Sequence, residues 1–173
     1  MQPSDWVIRF APLLSPNTSV LDLACGAGRH GRVFLERGCQ VQFVDKDIAS
    51  VSDLDQLNTA ILTEMDLEDG RSWPFEAGAF DAIVVTNYLY RAHLSDLLDS
   101  LKPQGVLIYE TFARGNERFG RPKNPDFLLQ EAELLTLVQG RLSVIAFEQG
   151  IVEEKVVQRL CAIKDSVPRR LYP

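Results

Sequence analysis

Apolar positions along the chain fall into short runs separated by polar, glycine- or proline-bearing breaks, and the spacing inside each run predicts its element. Ser4 stands where it can cap a short helix in which Trp6, Phe10 and Leu13 share one face, ended by Pro12, Ser15 and Pro16. Residues 19–23 form an apolar run holding one acid, Asp22, and predict a first strand. After a glycine-rich stretch at 25–31, the spacing of Val33 and Phe34 with Leu35 predicts a helix over 29–37, closed by Gly38. Residues 41–44 predict a second strand ended by Asp45, residues 48–57 are weakly helical, and residues 60–65 predict a third strand that runs into Asp66.

The second half continues the alternation. Residues 80–86 read as a fourth strand, with Ala82, Ile83, Val84 and Val85 consecutive, as expected where both sheet faces are covered. Leu94, Leu97, Leu98 and Leu101 make a helical stripe, Lys102-Pro103-Gln104-Gly105 a turn, and residues 106–112 a fifth strand. Another helix is expected between Phe127 and Val138, closed by Gly140. Two strand-like runs, 142–148 and 155–163, then follow with no helix between them. Alternating strands and helices imply a parallel sheet with right-handed crossovers, and the closing pair implies an antiparallel edge. The expected fold is therefore α/β: a doubly wound, seven-stranded, mostly parallel sheet with an antiparallel C-terminal strand pair and helices on both faces. The expected organisation is one domain over residues 1–173.

Composition narrows the function. The chain has 173 residues with a formal net charge of −6, which disfavours a body built to track nucleic-acid phosphates. No apolar run is long enough to cross a bilayer and no basic leader precedes an apolar stretch, so a cytoplasmic location is expected. The three cysteines, Cys25, Cys39 and Cys161, lie far apart and form no C-x-x-C pair; with only two histidines, no metal site is expected. No G-x-S-x-G elbow is present to suggest a serine hydrolase.

A doubly wound sheet binds its ligand beyond the carboxyl ends of the strands, so chemistry is sought there. After the first strand, Gly26 and Gly28 allow a tight turn and close approach of a ligand, ahead of a helix N-terminus with free N–H groups. Gly26, Gly28 and Gly31 also satisfy the G-x-G-x-x-G of a dinucleotide site, and a plain strand-to-helix turn would use the same residues. Asp45, closing the second strand, can accept from both hydroxyls of a ribose. Asp66 can accept from an exocyclic amine beside Leu67, an apolar side chain able to cover a base.

Jointly these features resemble the class I S-adenosylmethionine-dependent methyltransferases. Val20-Leu21-Asp22-Leu23-Ala24-Cys25-Gly26-Ala27-Gly28 is similar to their first motif, Asp45 to the ribose-binding acid, and Asp66-Leu67 to the adenine-contacting pair. Residues 80–85 resemble their fourth-strand motif and residues 101–107 the turn into their fifth strand. The resemblance covers roughly residues 15–165. Val44-Asp45-Lys46-Asp47 and Met65-Asp66-Leu67-Glu68 most resemble the small bacterial enzymes of the tellurite-resistance type.

The resemblance implies that S-adenosylmethionine is bound by Asp22, Cys25, Gly26, Ala27, Gly28, Asp45, Lys46, Asp66, Leu67 and Asn87, with S-adenosylhomocysteine as product. Asp22 would orient the loop and reach the amino group, and the backbone at Asn87 would lie near the methyl. No Asn-Pro-Pro-Tyr-like tetrapeptide follows the fourth strand. Among the residues after strands four and five, Tyr90, Arg91 and His93 are the catalytic candidates, with Tyr88 and Glu110 nearby and His30 expected to be structural. Arg114, Arg118 and Arg121 favour a small, anionic acceptor, with Glu117 inside their loop to pair with, and no membrane or nucleic-acid partner is expected. The alternatives are an NAD(P)-dependent oxidoreductase, a methyltransferase acting on RNA or protein, with Arg169 and Arg170 extending the patch, or a non-catalytic nucleotide-binding module. Oligomeric state is not legible.

Overall fold

Residues 2–164 are described in the computed structural model. Strands β1 (Ser19–Leu23), β2 (Gln40–Asp45), β3 (Ala60–Glu64), β4 (Phe80–Thr86), β5 (Leu101–Phe112), β6 (Ser143–Val152) and β7 (Lys155–Ile163) form one sheet in the order β3-β2-β1-β4-β5-β7-β6. The first five pair parallel with one another, whereas β7 pairs antiparallel with β5 and β6. The order reverses at β1, whose two neighbours are β2 and β4, so a crevice opens there at the carboxyl ends.

Period-two alternation sends successive side chains to opposite faces and builds two cores. Leu21 and Leu23 join Ile83, Leu107 and the apolar side of α3 (Leu94–Asp99) and α4 (Glu133–Val138). Val20 joins Phe43 and Val84 beneath α1 (Asp5–Phe10), α2 (Arg29–Glu36) and the 3-10 turn at Ala49–Leu54. Ser4 accepts the Trp6 N–H and caps α1, whose Trp6 and Phe10 rings meet edge to face at 4.7 Å.

Four elements depart from the expected ones. Leu101 does not complete the stripe on α3; it opens β5 opposite Phe80, and the next registered pair is Ala82 with Val106. The expected turn at 102–105 is thus a bulge inside one long strand. Lys102 holds it by donating to Asp81 at 2.9 Å, and Gln104 and Gly105 exchange backbone hydrogen bonds with Lys164. The helix expected between Phe127 and Val138 begins only at Glu133, because residues 128–129 run alongside the end of β5 through an Ala113–Leu129 bridge. The run expected at 142–148 is the ten-residue β6, lengthened by its antiparallel partner β7. Residues 48–57, weakly helical by pattern, form only the 3-10 turn.

The packing of α2 on the sheet leaves no room at Gly31. A Cβ there would meet Phe43 Cε1 at 2.2 Å and Asp22 Oδ2 at 2.9 Å. Gly31→Ala is therefore expected to cost about 2–3 kcal/mol through overpacking, measured by the denaturant midpoint. An unchanged midpoint would show that α2 is free to slide away from Phe43.

Candidate active site

The chain leaves β1 and enters α2 through residues 24–28, and its conformation follows from hydrogen bonds to the neighbouring strand end. Cys25 N–H donates to the Val44 carbonyl at 3.0 Å, Gly28 N–H to the Cys25 carbonyl at 2.9 Å, and Gly26 N–H to Asp45 Oδ2 at 2.8 Å. The other Asp45 oxygen accepts from Asp47 N–H at 3.2 Å. Asp45 thus fixes the glycine loop as well as closing β2. Gly26 has φ +54°, and a Cβ there would meet nothing within 4 Å. The fold therefore needs the left-handed backbone at Gly26 but leaves the space above it open to a ligand.

Asp22 faces the other way. Only 1% exposed, it accepts from Gly31 N–H at 2.8 Å, so it ties β1 to the first turn of α2 rather than opening into the crevice. Burial pushes its carboxyl up to about 7, despite the Gly31 hydrogen bond and the nearby Arg29 charge. His30, 2% exposed, shares a 2.9 Å hydrogen bond between Nδ1 and Thr86 Oγ1, while Nε2 has no partner among the described residues. Burial, assisted by Arg29, lowers its imidazole to about 4, so it is neutral at physiological pH. An unsatisfied buried ring nitrogen costs on the order of 1–3 kcal/mol. Burial likewise pushes the Cys25 thiol, half-way into the loop, up to about 12, so no thiolate is available there.

Two cavities flank the loop and meet at Ala24, which lines both. One, of about 300 Å3, is bounded by Asp45, Lys46, Met65, Asp66, Leu67 and Tyr88. The other, of about 720 Å3, runs from Gly26 past His30, Thr86 and Asn87 to Gln2, Pro3 and the exposed side of α2. The smaller cavity combines three carboxylates, Asp45, Asp66 and Glu68, with apolar walls from Met65 and Leu67. That donor-accepting, flat-sided chemistry suits a nucleoside, whose ribose hydroxyls and exocyclic amine are donors. Asp66 lies two residues beyond β3, exposed, and accepts from Glu68 N–H at 2.9 Å. Leu67 is buried and belongs mainly to the core, with one edge in the cavity. Asn87 is exposed with φ +55°, its N–H donating to the Glu110 carbonyl at 2.9 Å.

Tyr90, Arg91 and His93 do not converge on this crevice. The Tyr90 and His93 rings meet edge to face at 5.0 Å beside Trp73, and His93 Nε2 lies 3.0 Å from the Leu67 carbonyl. Arg91 turns to the opposite side, paired with Glu133 at 2.7 Å and donating to the carbonyls of Asp126 and Leu128 at 2.7 and 2.9 Å. It fastens the segment after β5 to the segment after β4. Glu110 is half-buried at the rim, accepting from Ser4 Oγ at 3.0 Å and ion-paired with Arg159 at 3.0 Å. Arg114, Arg118 and Arg121 form no salt bridge among the described residues. Glu117, expected to pair with them, accepts instead from Gly115 N–H at 2.8 Å. Arg169 and Arg170 lie outside the described residues.

Two features take their place only from the tertiary structure. Tyr88, next to Asn87, lines the smaller cavity, and its hydroxyl is buried without a hydrogen-bond partner among the described residues. Burial and the neighbouring Glu68 charge raise its ionisation above the ordinary phenol range. The other is the His30–Thr86 contact, which joins α2 to β4 across 56 residues; no local signal marks it.

The buried carboxyl makes stability pH-dependent. With the Asp22 folded value raised from 3.8 to about 7, the folded state holds the proton more tightly than the unfolded chain. The stabilisation is full below about 4 and is lost as pH rises through 7. His30 acts oppositely: its folded value, lowered from 6.5 to about 4, removes stability as pH falls through that interval. Asp22→Asn keeps an acceptor for Gly31 N–H without the charge. Its Tm relative to the wild type should rise between pH 5 and pH 8, by roughly 5 °C or more for a chain of this size. A constant difference across that range in thermal melts would remove Asp22 as the titrating group.

Residues 20–105 match the protein family described as methyltransferase domain. No curated protein sequence matches the chain significantly. Among solved structures, the 1,6-didemethyltoxoflavin-N1-methyltransferase of Burkholderia thailandensis, crystallised with 1,6-didemethyltoxoflavin and S-adenosylhomocysteine, is 18% identical. It matches with a TM-score of 0.69 over 93% of this chain and 76% of that one. The N-methyltransferase NodS of Bradyrhizobium japonicum is 15% identical, with a TM-score of 0.69 over 92% of this chain and 93% of that one. A SAM-dependent methyltransferase from Methanosarcina mazei is 15% identical, with a TM-score of 0.70 over 95% and 99%. At these identities the structures speak for the fold, and the family match supplies the chemistry that an oxidoreductase reading of the glycines would have replaced. The family match over residues 20–105 and the shared class I methyltransferase fold together support an S-adenosylmethionine-dependent methyltransferase.

Proposed function

We propose that the enzyme, working as one domain over residues 1–173, transfers the methyl group to a small, anionic acceptor by in-line displacement. The observation that carries the site assignment is the open space above Gly26, held by Asp45 between the two cavities. S-adenosylmethionine supplies a methyl group already attached to a good leaving group, so the protein's work is binding, alignment and exclusion of water.

In this reading Asp45 accepts from the ribose hydroxyls while holding Gly26 N–H, and Asp66 accepts from the adenine amine. Lys46, Leu67 and Tyr88 wall the nucleoside. Cys25, Gly26, Ala27 and Gly28 carry the methionine portion on their backbone, and Asn87 faces the methyl. Asp22 acts through Gly31 on the loop and does not touch the ligand. Tyr90, Arg91 and His93 become positioning residues: the polar atoms of Arg91 and His93 face Glu133, loop carbonyls and the Leu67 carbonyl, and the Tyr90 ring packs against His93. Water is kept out on one side by Gln2 and Pro3, which the Ser4–Glu110 hydrogen bond draws over the larger cavity.

The anionic acceptor is supported by Arg114, Arg118 and Arg121, cations on the segment after β5 with no salt-bridge partner among the described residues. A small molecule is supported by the 1,6-didemethyltoxoflavin bound to the Burkholderia enzyme. No helix among the described residues is long and apolar enough to cross a membrane, and all three cysteines are free and buried, which suits a cytoplasmic enzyme. The likeness of residues 44–47 and 65–68 to the tellurite-resistance type remains part of this proposal, on sequence grounds.

Asp45→Ala removes the ribose acceptor and frees the glycine loop at once. Its affinity for S-adenosylmethionine, measured by calorimetry, is expected to fall about tenfold or more with the fold retained by circular dichroism. Wild-type affinity in the variant would refute the site assignment.

A further inference from the structure

We propose that Tyr109 is a positioning residue for methyl transfer, its buried hydroxyl pinning the backbone of residues 87–88, and this rests on the adenosylmethionine reading of the rim. Residues 87–90 connect β4 to a 3-10 turn at Arg91–His93 and belong to no strand or helix. Asn87 lines the larger cavity and Tyr88 the smaller, so the two cavities abut at this segment on the β4 side as they meet at Ala24 on the β1 side. Whatever fixes residues 87–88 therefore fixes the wall where the nucleoside and methionine portions join, beside the methyl group in that reading.

Local structure does not supply that restraint. Asn87 has φ +55°, a left-handed conformation that a residue with a side chain adopts at a cost, and no backbone N–H among the described residues donates to the Tyr88 carbonyl. Two contacts from β5 hold the segment instead: Asn87 N–H donates to the Glu110 carbonyl at 2.9 Å, and the Tyr109 hydroxyl donates to the Tyr88 carbonyl at 2.9 Å. Tyr109 is fully buried in the core that includes Leu107, Leu134 and Leu160, where a phenylalanine would fill almost the same space with no polar atom to satisfy. The hydroxyl is thus accounted for by the carbonyl it meets, not by packing. Burial holds the phenol well above its ordinary ionisation range, so it remains a neutral donor at physiological pH. Its place on β5 is set by registered neighbours on both sides, Val85 of β4 and Leu160 of β7. The bond therefore ties a segment without regular structure to the middle of the sheet, 21 residues away in the chain. Misplacement of reacting atoms by about 1 Å can cost on the order of 100-fold in rate, so a wall beside the methyl has to be held.

Tyr109→Phe removes one oxygen and keeps the ring. In the free protein, amide hydrogen exchange is expected to quicken about tenfold or more at Asn87 and Tyr88 and to change by less than about twofold at Ile83 and Val84 within β4. With S-adenosylmethionine carrying carbon-13 at its methyl group, the bound methyl resonance is expected to shift between wild type and variant. Unchanged exchange at Asn87 and Tyr88, or a methyl resonance at the same position in both proteins, overturns the proposal. Exchange that quickens equally throughout β4 overturns it too, because a purely structural role would do that. If the variant does not fold, the wild type decides: the Tyr109 hydroxyl proton, held in its bond, is expected to give a resolved resonance that moves when S-adenosylmethionine replaces S-adenosylhomocysteine, and one that stays in place refutes the assignment. A wild type with no bound methyl resonance at saturating S-adenosylmethionine refutes the cofactor reading instead; exchange at Asn87 and Tyr88, measured without ligand, still decides whether Tyr109 holds the segment.

Discussion

Everything at the rim depends on how the chain escapes from β1 into α2 within residues 24–28 while Phe43 occupies the space below. The helix comes close enough only because Gly31 carries no side chain, and the gap is closed by a hydrogen bond from its N–H to a carboxyl that is almost fully buried. A charge in that position is expensive to desolvate, and the Asp22 carboxyl responds by holding its proton up to about pH 7. The junction is therefore fixed by packing and one short hydrogen bond more than by an ion pair. A loop so anchored at both ends can hold Gly26 in a left-handed conformation with empty space above it.

The same loop is clamped from the side by Asp45, which joins the ends of β1 and β2 into one rigid edge. Because its oxygens already accept from two backbone N–H groups, the carboxylate is oriented before any ligand arrives, and little ordering is left to be done on binding. Asp66 is built differently: exposed and held by a single turn hydrogen bond, it sits on the long connection from β3 to β4. The two acids thus differ in preorganisation, although both stand at strand ends.

Beyond β4 and β5 the rim is held by side chains that bridge distant segments. Arg91 fastens the segment after β5 to that after β4, and His93 contacts the Leu67 carbonyl on the connection from β3. Ser4, Glu110 and Arg159 draw the N-terminal segment, β5 and β7 together, with Arg159 lying 5.7 Å from the Trp6 ring. These contacts take up the polar groups that a motif-based reading places at the reacting atoms. Among the described residues, Arg29 on α2 and Arg114, Arg118 and Arg121 after β5 form no salt bridge, and Arg29 adjoins His30, whose buried Nε2 has no partner there.

The sequence by itself determined the strands, the order of chemistry along them and the residues of the glycine loop. Alternation of apolar side chains is a local property, and the central strands Ser19–Leu23 and Phe80–Thr86 are long enough apolar runs to announce themselves. The acids at 45 and 66 are legible for the same reason, since each follows such a run. Only the tertiary structure decided which way a polar side chain turns. Leu101 has helical spacing from Leu94 but pairs with Phe80. Residues 102–105 look like a turn yet bulge inside β5, because Asp81 and Lys164 hold them there. Arg91 and His93 have the chemistry of catalysis, and in the fold their polar atoms meet Glu133 and the carbonyls of Leu67, Asp126 and Leu128. His30 looks structural, yet its unsatisfied nitrogen becomes visible only when β4 brings Thr86 against it. Local pattern records where a side chain must be buried, whereas hydrogen-bond partners 20 to 60 residues away settle what remains free to react.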